Sequence, residues 1–289
     1  MKPITVTDVR VVSGDCAFLL DDGKTAVLYD TGFAFNGYAI AENIKKALGS
    51  RQLDYILLTH SHYDHVLAAP YITKVYPGAK VIAGEYVTQI FRRPTAKALM
   101  RDLDSKAAIK YGAPAYEDLI DQLKVDITVQ DGDSFQCGDF LFTAIALPGH
   151  TRCSYGFYLP EHKLLLGSET LGVYFGHGTY LPFFLVGYQL TLESFAKVRQ
   201  LKTEKILLPH YGVVDREEAE VYLENSEEST REMAQTMLSM LKEDKSKEEI
   251  LAFFEERDYR ENVRPTYPID AFRLNTSIMI EQIRKELLK

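Results

Sequence analysis

The chain has 289 residues, of which 46% are hydrophobic and 26% are charged, and its formal net charge is −8. This composition is that of an ordinary globular protein, and it excludes intrinsic disorder, collagen and coiled coil as descriptions of the whole chain. The acidic balance disfavours nucleic acid and anionic membranes as partners, because both call for a basic surface.

The first part of the chain predicts strands, a helix and further strands. The turn Asp21-Asp22-Gly23 between two apolar runs is a hairpin signal. Apolar residues spaced four apart and followed by Gly49 predict a helix. The predicted elements are strands Ile4–Val12, Cys16–Leu20 and Thr25–Tyr29, helix Gly37–Leu48, and strands Tyr55–Thr59 and Lys80–Ala83.

The remaining sequence repeats this alternation and then becomes helical. The pattern is helical from Glu85 to Leu123, with a break at Gly112, and the spacing Ser246-x-x-Glu249 is that of a capping box. The later predicted elements are strands within Val125–Ala146, the hairpin Tyr155–Leu159 and Lys163–Leu166, helix Leu190–Leu201, a last strand Lys205–Leu208, and three helices over Asp215–Lys289. Two halves that each alternate strands and helices predict an α/β fold in which helices cover the outer faces of two sheets.

The cysteines and the first ten residues indicate where in the cell the protein is expected. An odd number of cysteines without a Cys-x-x-Cys pair predicts reduced, buried thiols in a cytoplasmic protein. The opening MKPITVTDVR lacks the apolar core of a signal peptide, and no stretch approaches the ~18 apolar residues of a membrane span. We therefore expect a cytoplasmic protein.

Three histidines and an aspartate fall within six residues, in His60-Ser61-His62-Tyr63-Asp64-His65. They follow an apolar strand directly. Residues at i and i+2 of an extended segment point the same way, so His60 and His62 can converge on one ion. A helix starting at Asp64 would turn Asp64 and His65 toward a second ion. Imidazoles with a carboxylate suit zinc, and also iron or manganese.

Two further histidines stand directly after predicted strands. His150 lies in Leu147-Pro148-Gly149-His150-Thr151, and His210 lies in Leu208-Pro209-His210-Tyr211-Gly212. A lone histidine in a loop is more often a surface residue than a ligand. Here both repeat the position of the first cluster at the carboxyl end of an apolar run, so we predict both as metal ligands.

Taken together, these motifs resemble those of the metallo-β-lactamase-fold hydrolase superfamily. The shared pattern is His-x-His-x-Asp-His at 60–65, Pro-Gly-His-Thr at 148–151, the late His210 and the early Asp30-Thr31-Gly32. The resemblance covers about residues 1–212 and is specific for the fold, but it is poor at naming a substrate. It implies a four-layer αββα sandwich over residues 1–212, with the metal site on one edge and residues 213–289 packed on it as a helical extension.

The resemblance also implies roles, residue by residue. The implied ligands are His60, His62 and His150 for a first ion and Asp64, His65 and His210 for a second. The two divalent ions, zinc before iron or manganese, would share a hydroxide that attacks the substrate. Asp64 would orient this hydroxide and pass its proton to the leaving group. Asp30 would accept an N–H from a ligand imidazole or, alternatively, cap the turn at Gly32.

One stretch departs from the family pattern. Where family members usually carry a metal-bridging Asp in a Gly-Asp-Thr-Leu stretch, this chain has Gly167-Ser168-Glu169-Thr170-Leu171. Alignment on the Thr-Leu pair places Glu169 at the bridging position. The extra methylene moves the carboxylate by ~1.5 Å, which predicts a second ion that is displaced, more weakly held or of another element. An alignment shifted by one residue places Ser168 at the bridging position instead, and a serine there would remove the bridging carboxylate.

The segment Tyr174–Tyr188 is rich in aromatic residues. It predicts the wall of an apolar substrate pocket or, alternatively, packing under the C-terminal helices or a homodimer contact. We expect His177 to be structural or to touch substrate, and we expect no role for His162.

Three classes of function remain open from the sequence. The leading interpretation is a metal-dependent hydrolase of a small ester, thioester or lactone, and phosphodiester hydrolysis is its nearest rival. The second class is a di-iron redox or oxygen-sensing protein, although such relatives usually have Glu where His62 stands and often carry a flavodoxin module. The third class is a binding protein that keeps the fold with weak catalysis.

Overall fold

The computed structural model describes residues 3–288 of the chain. Contacts between Cα atoms divide it into two compact units. The first unit comprises the chain up to Ala146 together with Tyr155–Leu166, and the second comprises Leu147–Ser154 together with the chain from Gly167 onward. The predicted boundary after residue 212 rests on the extent of the motifs and stays a prediction.

A six-stranded sheet forms the centre of the first unit. Its strands lie in chain order: β1 (Thr5–Asp8), β2 (Phe18–Asp21), β3 (Ala26–Tyr29), β4 (Tyr55–Leu58), β5 (Lys80–Gly84) and β6 (Ile127–Val129). The first three pair antiparallel, and β3 to β6 pair parallel. Because β3 and β4 are parallel neighbours, their carboxyl ends lie side by side. Parallel strands also need crossover connections, which are usually helical.

Helices of the first unit supply these crossovers. They are α1 (Gly37–Leu48), α2 (Tyr63–Val66), α3 (Ala69–Val75), α4 (Glu85–Phe91) and α5 (Pro94–Lys110). Helix α1 matches its predicted bounds, and the face that carries Ile40, Ile44 and Leu48 is buried. The predicted break at Gly112 is confirmed, since α5 ends at Lys110 and Gly112 has a positive φ.

Four antiparallel strands complete the first unit. They are β7 (Ser134–Cys137), β8 (Phe140–Ala146), β9 (Tyr155–Leu159) and β10 (Leu164–Leu166), each paired with the next. The predicted hairpin formed by β9 and β10 is confirmed.

The second unit is mostly helical. Its elements are β11 (Val173–Tyr174), β12 (Tyr180–Leu181), α6 (Tyr188–Gln200), β13 (Lys205–Leu208), β14 (Gly212–Asp215), α7 (Glu217–Lys242), α8 (Lys247–Asp258) and α9 (Ile269–Leu287). Its core joins residues after β11 to the last three helices, with Phe184, Phe254 and Phe272 fully buried. The three predicted C-terminal helices and the α/β fold class are confirmed.

Some predicted boundaries are wrong. The strand predicted over Ile4–Val12 forms only over Thr5–Asp8. Lys205–Leu208 is not the last strand, because Gly212–Asp215 folds back as its antiparallel partner and pairs Asp215 with Lys205. The first C-terminal helix therefore begins at Glu217 rather than at Asp215. A four-residue strand with only two β-branched residues is too short to give a periodic signal.

Candidate metal centre

The histidine cluster of the first unit lies where β4 ends and α2 begins. The ring centroids of His60 and His62 are 4.6 Å apart, and those of His60 and His65 are 4.1 Å apart. His60 and His65 are fully buried, whereas His62 and Asp64 are partly exposed. The short helix turns Asp64 and His65 back beside the strand end, so this stretch gathers three imidazoles and a carboxylate in one place.

Hydrogen bonds determine which ring nitrogen of each buried histidine is a donor. Nδ1 of His65 lies 2.8 Å from Oδ2 of Asp30, and Nδ1 of His60 lies 2.9 Å from Oγ1 of Thr59. The Thr59 hydroxyl itself donates to Oδ2 of Asp30 at 2.8 Å, so it accepts from His60. Both Nδ1 atoms therefore carry the proton, which leaves each Nε2 with a lone pair for a cation.

Asp30 is the common anchor of this network. It is fully buried, it has a positive φ of 52°, and its Oδ1 accepts the backbone N–H of Thr59. A strained backbone at a buried carboxylate is typical of functional sites. Of the two roles left open by the sequence, the first is confirmed: the Asp30 carboxylate accepts the imidazole N–H of His65.

Two opposed effects set the pKa of His65. Burial by itself would lower it, but the carboxylates of Asp30 and Asp64 outweigh burial and raise the pKa well above its ordinary value. Positive charge is thus favoured at this buried imidazole. A divalent cation on Nε2 would supply that charge in place of a proton.

Glu169 lies between two histidines in the second unit. Its Oε2 is 2.7 Å from Nε2 of His150, and its Oε1 is 3.1 Å from Nε2 of His210. Ser168 does not take this position, because its side chain caps the 3₁₀ turn Glu169–Leu171 and accepts the N–H of Thr170. Each carboxylate oxygen therefore faces a different imidazole, as expected of a carboxylate that bridges two cations.

The short contact between His150 and Glu169 requires a positive charge. Nδ1 of His150 is 3.1 Å from the carbonyl oxygen of Phe183 and must donate to it, which leaves a lone pair on Nε2. A lone pair and a carboxylate oxygen 2.7 Å apart repel each other unless a proton or a metal ion lies with them. The residues present thus fit a metal site.

The backbone at His210 is also strained. This residue has a φ of 61°, in the left-handed region that favours glycine. It lies two residues after the end of β13, and its Nε2 lies 3.1 Å from the Glu169 carboxylate. Strain at a predicted ligand agrees with a functional role.

The structure places the predicted residues in two sets. His60, His62, Asp64 and His65 lie together in the first unit, and His150, Glu169 and His210 lie together in the second. His177 lies in an exposed loop and His162 in a 3₁₀ turn.

Two groups that orient predicted ligands were not foreseen from the sequence. One is Thr59, and its position next to His60 in the sequence could have indicated this role. The other is the carbonyl of Phe183, which no sequence pattern indicates because any residue carries a carbonyl.

The aromatic segment Tyr174–Tyr188 packs mainly with the C-terminal helices. Phe183, Phe184 and Tyr188 belong to the core that these helices build. Tyr174 is half-buried, and its ring centroid is 4.6 Å from that of Tyr211, the residue after His210. Packing under the helices is thus confirmed for the end of the segment.

Within residues 3–288, no helix is both long enough and apolar enough to cross a bilayer.

The sequence of this chain is similar to those of known proteins. The family model described as the metallo-beta-lactamase superfamily matches residues 11–210. The metallo-beta-lactamase fold-containing protein ST1585 of Sulfurisphaera tokodaii is 26% identical over 175 residues, which cover 60% of this chain and 66% of the relative. A hydroxyacylglutathione hydrolase of Bartonella henselae is 29% identical over 166 residues, 57% of this chain and 51% of the relative. The matches thus span between half and two thirds of these relatives.

Solved structures show the same fold. The crystal structure of ST1585, an archaeal metallo-beta-lactamase superfamily protein from Sulfolobus tokodaii, has a TM-score of 0.62 at 21% identity. The superposition covers 99% of this chain and 100% of that one. The fold class expected from the motifs, with its C-terminal helices, is confirmed.

Proposed function

The chain belongs to the metallo-β-lactamase superfamily, and from this premise we propose that it is a hydrolase of small esters, thioesters or lactones with a two-ion centre. The observation that carries the proposal is the carboxylate of Glu169, whose two oxygens face two different imidazoles. A glutamate thereby supplies the bridging geometry that an aspartate supplies elsewhere in the family.

The proposed centre combines the two sets of ligands. His60, His62 and His150 would hold one ion, Asp64, His65 and His210 would hold the other, and Glu169 would contribute its carboxylate to both. Zinc is the first choice, because imidazole nitrogen and carboxylate oxygen are its common ligands. The tautomers set by Thr59, Asp30 and Phe183 support this assignment, since each leaves Nε2 available.

Asp64, Asp30 and Thr59 would have different roles in the proposed hydrolysis. When bound, the cations lower the pKa of a shared water and polarise the substrate oxygen. The partly exposed carboxylate of Asp64 accepts a proton from the attacking water and returns it to the leaving group. Asp30 and Thr59 hold the buried imidazoles in one tautomer, so that the ligand set is oriented before substrate binds.

Acyl substrates are favoured over polyanions for two reasons. The chain carries a net charge of −8, which repels polyanionic polymers. Several relatives at 29% to 32% identity are named hydroxyacylglutathione hydrolase, a name that denotes an acyl compound. We accordingly propose a small-molecule substrate rather than a nucleic acid or a membrane.

We also propose a cytoplasmic location and a domain boundary after residue 212. Three buried cysteine thiols support a cytoplasmic location. We propose a hydrolase-like domain over residues 1–212 with an extension from residue 213 onward, in which helix begins at Glu217 because Gly212–Asp215 is still strand.

Metal analysis combined with a substrate panel tests the proposal. We expect about two zinc ions per chain and turnover of a thioester, ester or lactone, with a phosphodiester of similar size as the negative control. Two iron ions with a visible absorption band would support the di-iron class instead. Phosphodiester turnover without acyl turnover would also overturn the proposal.

A further inference from the structure

Helix α7 of the C-terminal extension is bonded to the turn that carries Glu169. The Tyr222 hydroxyl lies 2.8 Å from the carbonyl oxygen of Leu171 and 2.7 Å from that of Gly172. One turn further along the helix, the Ser226 hydroxyl donates to the carbonyl oxygen of Leu171. Both side chains are almost completely buried, with exposed fractions of 2% and 1%. Two buried hydroxyls thus converge on the residues that close the Glu169 turn.

A single peptide group connects these bonds to Glu169. The carbonyl of Leu171 and the N–H of Gly172 belong to the same planar unit, which moves as one body. At one end this unit accepts from α7, and at the other the Gly172 N–H donates to the carbonyl of Glu169 at 2.9 Å. A shift of α7 would therefore shift the backbone from which the Glu169 carboxylate projects.

The close approach of α7 depends on glycine at position 172. Gly172 has a φ of 82°, and a Cβ built there would lie 2.2 Å from Oγ of Ser226. Any larger residue would push the helix away from the turn. Glycine at this position thus permits contact with Ser226, which lies more than fifty positions later in the chain.

Tyr222 remains a hydrogen-bond donor across the working pH range. Burial raises the pKa of its hydroxyl and outweighs the lowering effect of a hydrogen bond with Ser226, and the nearby Glu169 carboxylate raises the pKa further. The hydroxyl therefore keeps its proton, and the contact does not switch off near neutral pH.

We infer that Tyr222 and Ser226 are positioning residues of the metal centre: through the Leu171–Gly172 peptide, helix α7 sets the place of the Glu169 carboxylate. This gives the C-terminal extension a function at the site. The inference rests on the proposed two-ion centre, because it concerns the ligand that bridges the ions. A carboxylate between two ions is sensitive to small backbone shifts, since both of its oxygens must stay in reach.

Removing each hydroxyl singly tests the inference. The variants are Tyr222→Phe and Ser226→Ala, which keep the ring and the backbone. Ser229→Ala is the matched control, because its hydroxyl lies on the same helix and also donates to a backbone carbonyl, that of Tyr180, at 2.9 Å. The readout is zinc affinity, measured by competition with a chromogenic chelator, alongside the thermal unfolding of the zinc-free protein.

We expect the more weakly held zinc ion to lose about tenfold or more in affinity in Tyr222→Phe and in Ser226→Ala. We expect Ser229→Ala to stay within about twofold of the wild type, with all three zinc-free variants folded. Affinities in both variants that match the control would overturn the inference, and so would an equal loss in all three, which would mark general loosening of the helix.

The outcome for the wild type separates this inference from the proposed function. A wild-type protein that binds two zinc ions but cleaves no acyl substrate refutes the substrate class, while the variants still decide the role of α7. A wild-type protein that binds no divalent ion refutes both.

Discussion

In the first unit, the carboxylate of Asp30 lies 2.8 Å from Nδ1 of His65, and both side chains are fully buried. This contact joins the end of β3 to the short helix after β4, two segments that meet because β3 and β4 are parallel neighbours. The contact fixes the tautomer of His65, a predicted ligand. The same Asp30 carboxylate also accepts a hydrogen bond from the Thr59 hydroxyl. One carboxylate thereby orients two imidazoles.

Replacing Asp30 by Asn should weaken metal binding without unfolding the protein. The amide cannot accept from both His65 and Thr59 with the strength of a carboxylate, so we expect about 10- to 100-fold lower zinc affinity. The measurement is a zinc titration. Asp126→Asn is the control, because Asp126 accepts a backbone N–H at β5, away from the histidines. Equal affinities for the two variants would contradict the assigned role.

Replacing Asp64 by Ala should abolish hydrolysis while the fold stays intact. Loss of a proton-transfer group lowers the rate by about 100-fold or more. The test compares kcat on the best acyl substrate with circular dichroism of the same sample. Asp102→Ala, which breaks an exposed pair with Lys106, should leave kcat unchanged. Unchanged turnover of Asp64→Ala would reject its catalytic role.

Replacing Glu169 by Asp, the residue usual in the family, should lower the number of bound metal ions by one. The carboxylate would retract by ~1.5 Å, so its oxygens could not both keep their distances of 2.7 Å and 3.1 Å from His150 and His210. We expect zinc content to fall from about two toward one per chain. Glu193→Asp on α6 is the control. Two retained ions in Glu169→Asp would show that the turn moves to compensate.

The buried Asp104 should make stability depend on pH. Burial raises its pKa to about 6, above the usual 3.8. The folded state thus favours the protonated acid, and this contribution is fully present below pH 4 and is lost as pH rises through about 6. The difference amounts to ~3 kcal/mol of unfolding free energy.

Urea denaturation of the wild type and Asp104→Asn at several pH values measures this effect. Asn can still accept from the Ala34 N–H and contact the Tyr116 hydroxyl. We expect the variant to gain stability relative to the wild type between pH 4 and 7.5. A difference between the two proteins that does not change with pH would refute the assigned pKa.

The capping box of α8 should contribute measurably to stability. The Glu249 N–H donates to the Ser246 hydroxyl at 3.2 Å, and the Ser246 N–H donates to the Glu249 carboxylate at 2.7 Å. Replacing Ser246 by Ala should lower the free energy of unfolding by ~1 kcal/mol. Thermal or urea unfolding measures it, with the exposed Ser239→Ala on α7 as control. A loss no larger than that of the control would count against the cap.

The amino-acid sequence by itself determined the features that depend on a few neighbouring residues. The apolar face of α1, the hairpin of β2 and β3, and the capping box at Ser246 each follow from spacing within about a dozen positions. The histidine motif after β4 belongs to the same class, because the alternation of side chains in an extended segment predicts His60 and His62 on one side.

Only the tertiary structure decided the features that join distant segments. The choice between two roles for Asp30 depended on a contact with His65, and the register of Glu169 over Ser168 depended on His150 and His210. The hydrogen bond between α7 and the Glu169 turn joins Tyr222 to Leu171 across fifty-one positions. Periodicity and spacing report on the local backbone, whereas such contacts arise from how the chain folds back on itself, which no short window of sequence contains.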